Sequence, residues 1–182
     1  MKRVHFEYSL KTEIPINVVY ETLRDNLYKL AKYLPDVTSI ELVERKEAED
    51  RVYTVNKWQS KNILPPSISQ FIKLDGIAWL DRGEWSKSEY VCTWSYEPFI
   101  FQGQFNAHGQ DSYSTDGRYT TIMFNGDLQI NLEQYPFVIV VPTIMRKKIV
   151  DEFLNIILSL LKSNFTALIK GLEQYTRENK II

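Results

Sequence analysis

The chain has 182 residues, of which 44% are hydrophobic and 25% charged, with a net charge of −1 and one cysteine, Cys92. That length suits a single domain burying roughly 70% of the surface its unfolded chain exposes. The balanced charge argues against the clustered basic surface of a nucleic-acid binder, and a lone cysteine excludes an internal disulfide framework and suits a reducing, cytoplasmic setting.

Val4, Phe6, Tyr8 and Leu10 alternate with Arg3, His5, Glu7 and Ser9, the period of a strand with one buried face. The alternation also lacks the continuous apolar run of a signal peptide. Pro15 suits the first turn of a helix, and Ile16, Val19, Tyr20 and Leu23 then form one apolar stripe. Asp25 is expected to cap a second short helix carrying Leu27, Leu30, Ala31 and Leu34, which Pro35 stops.

Strands are predicted over residues 38–45 and 51–58, flanking the charged turn KEAED. A loop rich in proline and serine follows at residues 62–71, NILPPSISQF. Four more strands are predicted over 77–85, 89–97, 104–114 and 118–131, with a tight turn at Asp116-Gly117 between the last two. The connector at 133–142, EQYPFVIVVP, is strongly apolar but far shorter than the ~20 residues of a membrane span. Thr143 is expected to cap a helix reaching about residue 178, on which Val150, Leu154, Ile157, Leu161, Phe165, Leu168, Leu172 and Tyr175 recur every three or four positions. At ~1.5 Å per residue such a helix is roughly 50 Å long, enough to cross a sheet.

The order strand, two short helices, six strands, long helix resembles the START-related (SRPBCC) superfamily. So does the opening IPINVVYETLRDNLYKLAKYLPDVTSIELVER. The resemblance implies an α+β helix-grip fold over residues 1–182: a curved antiparallel sheet of about seven strands wrapped on a long C-terminal helix. It also implies a cavity between sheet and helix for a lipid, sterol, quinone or polyketide-like ligand. A narrower resemblance, to the PRELI-like lipid-transfer proteins, covers the N-terminal part as far as the proline loop. It rests on residues 33–35, 38–55, Lys57-Trp58 and 64–71. Lys57 replaces an acidic residue of that family, and Pro65-Pro66 is a doubled proline.

Motifs for nucleophilic, metal or nucleotide chemistry are missing. His5 and His108 stand alone, and no GxGxxG, GxxxxGK or GxSxG pattern occurs. No cofactor is expected. His108 lies in GQFNAHGQD with Gln104, Asn106 and Gln110, so this polar row either lines a pocket or meets water. Alternation with Phe105 and Ala107 favours water.

The sequence holds 4 Trp, 11 Tyr and 9 Phe. A cavity would place Trp58, Trp79, Tyr90, Trp94, Tyr96, Phe105, Ile122 and Phe124 from the strands, and Leu154, Ile157 and Leu161 from the helix, against the ligand. Strand propensity and core packing account for the same aromatics without a ligand.

Two junctions suggest how cargo enters. Ile63, Leu64 and Ile68 are apolar in the proline loop and suit a lid. Phe137 and Val138 precede Arg146, Lys147 and Lys148, which lie in the first helical turn, where basic residues cost ~0.3–1 kcal/mol each. An apolar loop beside a basic cluster suits transient docking to an anionic membrane; a buried connector followed by a solvated charge run is the plainer reading.

The expected function is therefore non-catalytic binding, and transfer, of a hydrophobic small molecule. One alternative is a polyketide cyclase or aromatase-like enzyme using His108, a tyrosine or Asp111 as acid or base. Another is a protein-binding adaptor without a true cavity.

Overall fold

The computed structural model describes residues 1–61, 76–132, 135–139 and 142–181, with the backbone alone for Pro136 and Phe137. The elements are β1 (Lys2–Thr12), α1 (Ile16–Asp25), a 3-10 helix (Leu27–Tyr33), β2 (Val37–Ala48), β3 (Arg51–Ser60), β4 (Ala78–Ser86), β5 (Val91–Pro98), β6 (Phe105–Thr115), β7 (Thr120–Ile130), α2 (Pro136–Ile139) and α3 (Thr143–Glu178). The strands form one sheet in the order β1-β7-β6-β5-β4-β3-β2. Every pairing is antiparallel. The expected helix-grip architecture is the observed one.

Three local expectations change. The second short helix is 3-10, and it buries Leu27 and Leu30, three positions apart, as a three-residue turn requires. Asp25 does not cap it. Its carboxylate is held by Arg24 at 2.6 Å and by Arg45 of β2 at 3.1 Å, which ties the end of α1 to the sheet. At α3, Pro142 precedes the first turn and no side chain caps it. Residues 136–139 of the apolar connector form a helical turn.

Register shifts in β2, between Val37 and Ser39 and between Leu42 and Glu44, bend this edge strand. The concave face so formed holds α3. Both ends of α3 are packed down: Ile149, Val150, Phe153 and Leu154 near its start, and Phe165, Ile169, Leu172 and Tyr175 near its end, are buried. Burying a side chain such as Leu172 contributes about 2 kcal/mol, so this packing is a principal stabiliser of the grip. Gly171 lets the helix approach Tyr33: a Cβ there would stand 2.7 Å from the Tyr33 Cβ. Hydrogen bonds add to this, from Tyr8 Oη to the Leu158 carbonyl at 3.2 Å and from Thr12 Oγ1 to Glu173 Oε1 at 2.8 Å.

Between those ends, Ile157, Leu158 and Leu161 are only half-buried against the core. By length and composition α3 is the one helix among the described residues that could cross a membrane. Its buried ends pack as the core helix of a folded domain.

Candidate functional site

Strand alternation brings one row from each of β3 to β7 onto the concave face, beneath the half-buried middle of α3. Two adjoining hollows lie there, of about 110 Å3 and about 100 Å3. They share Trp79, Tyr96, Leu161 and Asn164. For scale, an apolar cavity of roughly 150 Å3 accommodates one benzene ring.

Trp94, in the middle of β5, organises the first hollow. It pairs with Gly83 on one side and Gly109 on the other, and Gly109 pairs in turn with Gly126. The row of glycines leaves room for the indole to lie across β6 and β7. A Cβ at Gly109 would come within 2.6 Å of the ring, and one at Gly126 within 2.8 Å. The ring stacks on Tyr96 at 4.6 Å and Phe124 at 5.0 Å between centroids, and Phe124 stacks on Phe165 of α3 at 5.3 Å. Trp58 and Trp79 form a second stack at 5.5 Å.

Three indole N–H groups use one geometry. Each donates to a polar side chain on the adjacent strand, displaced two residues from its direct partner. Trp58 donates to Asp81 Oδ2 at 3.1 Å, Trp85 to Thr54 Oγ1 at 3.0 Å and Trp94 to Asp111 Oδ1 at 2.8 Å. The diagonal is the natural reach of a long side chain on a twisted sheet.

Asp81 and Asp111 thus stand on either side of Trp94, each with one side-chain hydrogen bond among the described residues, from an indole. Both keep some accessible surface, and it lines the first hollow. Burial pushes the Asp81 carboxyl up to about 7, against the opposing effect of the Trp58 hydrogen bond. Burial, and then the charge of Asp81, push Asp111 well above the usual carboxylate range, against the Trp94 bond. Burial also raises Cys92, Tyr96 and Tyr113. Asn164 Oδ1 of α3 is buried without a hydrogen-bond partner among the described residues.

Among the residues expected to meet a ligand, Trp58, Trp79, Trp94, Tyr96, Ile122, Phe124 and Leu161 line the first hollow. Phe105 and Ile157 line the second. Tyr90 and Leu154 line neither. Tyr90 sits at the turn into β5 with its ring edge-on to Tyr20 at 5.1 Å, and Leu154 is buried in the core. His108 is exposed on the convex face, while Ala107 is buried, as the alternation favoured.

Of the entry residues, Ile63, Leu64 and Ile68 lie outside the described residues, as does the Phe137 side chain. Val138 is fully buried and so is not a membrane contact. Arg146 donates to the Ile139 carbonyl at 2.7 Å, and Lys147 and Lys148 are exposed. Asp81 was not singled out from the sequence, although its phase with Trp79, Gly83 and Trp85 puts it on the inward row.

No protein-family model matches the sequence, and no curated protein matches it. Solved structures do. The Zhui aromatase/cyclase from Streptomyces sp. R1128 superposes with a TM-score of 0.67 at 14% identity, covering 95% of each chain. This is the START-like helix-grip fold. A protein from Thermus thermophilus gives 0.62 at 20% identity over 94% of this chain and 95% of its own. Ara h 8.0201 gives 0.57 at 14% identity over 97% and 99%. At these identities the likeness is one of fold.

Proposed function

We propose that the chain binds a small, largely aromatic molecule between the sheet and α3. One observation carries this reading: the hollows walled by the Trp94 and Trp58 stacks are lined also by Asp81, Asp111 and Asn164, whose side-chain oxygens the described residues leave under-used. Apolar walls with a few convergent polar groups are the common form of a ligand site. Hollows of 110 and 100 Å3 favour one or two rings over a long-chain lipid. Exchange at an anionic membrane is part of the proposal. It is supported by Ile139, Ile144 and Met145, which are 51%, 89% and 51% exposed beside Lys147 and Lys148. Native mass spectrometry of the purified protein, alone and after incubation with an apolar cell extract, tests the reading. A bound small molecule that is lost when Trp94 is replaced by Ala supports it; protein that stays empty in both samples rejects it.

A second reading, enzymatic, is favoured by Asp81. A carboxyl poised near 7 inside an aromatic pocket has the proton affinity of a general acid–base at neutral pH. Proton transfer to or from a carbonyl-bearing aromatic substrate is the reaction class such a group serves. Product formation from aromatic polyketones, followed by mass spectrometry and abolished in Asp81→Asn, is the expected result. Turnover unchanged in that variant rejects the role.

A further inference from the structure

The polar inventory of the first hollow is one-sided. Its described lining contains Asp81, Asp111 and Asn164 as oxygen acceptors, together with Thr54, Asn56, Tyr96 and Tyr113, and no lysine, arginine or histidine. The titratable groups facing Asp81 from the sheet are Asp111, Cys92, Tyr96 and Tyr113, and α1, the 3-10 helix and α3 contribute to this lining only leucines, Phe165 and Asn164. A buried carboxylate ordinarily has a cation beside it. Asp81 Oδ2 accepts an indole N–H, and the residue lines the hollow.

The surrounding rings point the same way. Trp58 and Trp79, stacked 15° from parallel, adjoin Asp81 diagonally and on its own strand, and Tyr96 is its direct partner on β5. Aromatic faces carry negative quadrupole potential and attract cations, most strongly where water is excluded. A neutral ligand leaves the Asp81 carboxylate uncompensated, and an anionic one is repelled by it. A hydroxyl satisfies Asn164 Oδ1 as well as an N–H does, so the charge is what discriminates.

We propose that the hollow takes a protonated amine carried on an aromatic ring, with Asp81 as its counter-ion, the Trp58–Trp79 and Tyr96 rings around the ammonium, and Asn164 Oδ1 as a further acceptor. This deepens the binding function proposed above and rests on it. The cation supplies what the described lining lacks at Asp81, and its entry drives the carboxyl to its ionised form.

Isothermal titration with phenethylamine, phenethyl alcohol and phenylacetate tests it, because the three share a ring and differ in the charge of the side chain. At neutral pH and above, the amine is expected to bind at least about tenfold tighter than the alcohol, with phenylacetate weakest. Below the titration of Asp81, at about pH 6, amine uptake is expected to release protons, read as a dependence of the heat on buffer ionisation enthalpy. In Asp81→Asn the amine's affinity is expected to fall to that of the alcohol, with thermal unfolding confirming that the variant is folded. An alcohol or acid that binds as tightly as the amine overturns the proposal, as does an amine preference that survives Asp81→Asn. If none of the three binds, the amine assignment fails. Capture of a different aromatic molecule in native mass spectrometry would then leave the broader binding function standing.

Discussion

Trp94 donates its indole N–H to Asp111 at 2.8 Å, fastening the central aromatic ring of the concave face to a buried carboxyl on the next strand. The bond works whether Asp111 is charged or neutral, because its Oδ1 accepts in both states. At about pH 4, where the raised carboxyl adds little linkage, Asp111→Asn keeps an acceptor of the same shape and is expected to change stability by less than ~1 kcal/mol. Asp111→Ala strands a buried N–H and is expected to cost about 1–3 kcal/mol. Urea unfolding of both variants checks the contrast. Equal losses would mean that the hydrogen bond is not what holds the ring.

The same ring depends on the glycines beneath it. A Cβ on Gly126 would stand 2.6 Å from the His108 carbonyl oxygen and 2.8 Å from two atoms of the Trp94 ring. Backbone on one side cannot yield, so the indole must lift into the hollow or the strands must part. Gly126→Ala is expected to destabilise the fold by about 1–3 kcal/mol, a typical cost of overpacking. It should also alter the near-ultraviolet circular dichroism of the tryptophans. A variant with native stability and spectrum would show that the ring is not seated on the glycine.

Much of this was legible in the sequence, for physical reasons. Alternation set the facing of His108 against Phe105 and Ala107, and it located Trp58, Trp79, Trp94 and Tyr96 on strands that share a face. Helical spacing found α3, but it could not separate Leu154, packed in the core, from Ile157 and Leu161 over the hollows, because one apolar stripe serves both. Asp25 had the chemistry of a cap, yet two arginines outcompeted the backbone for its carboxylate. The pairing of Asp81 with Trp58, 23 residues away, is set by cross-strand register, which no local pattern encodes.

Burial of Asp81 makes stability depend on pH with a defined sign. The unfolded carboxyl titrates near 3.8 and the folded one at about 7. Between those values the folded state holds a proton that the unfolded state has lost, so this group's contribution falls as pH rises and levels off above about 7. The slope reaches at most ~1.4 kcal/mol per pH unit. Glu47 and Glu178, held down at about 2 by their partners, act in the opposite sense at lower pH, so the informative quantity is wild type against Asp81→Asn. The variant is expected to gain little at pH 4 and on the order of 2–4 kcal/mol at pH 8. A pH-independent difference between the two proteins would reject a raised carboxyl at this site.

At the start of α3, exposed Ile144 and Met145 stand beside exposed Lys147 and Lys148, an arrangement suited to a surface that is both apolar and anionic. Arg146 is engaged with the Ile139 carbonyl, so reversing it would disturb the turn as well as the charge. The cleaner test reverses only Lys147 and Lys148. Basic residues near an anionic bilayer contribute roughly 1 kcal/mol each, so Lys147→Glu with Lys148→Glu is expected to lower partitioning onto phosphatidylserine vesicles by at least about tenfold. Ile144→Asp, which removes insertion but leaves both lysines, should weaken partitioning at every salt concentration. The wild-type protein should lose its affinity progressively as salt screens the lysines. Sedimentation with vesicles that ignores both variants would assign the exposed residues to solvent and leave ligand exchange independent of a membrane.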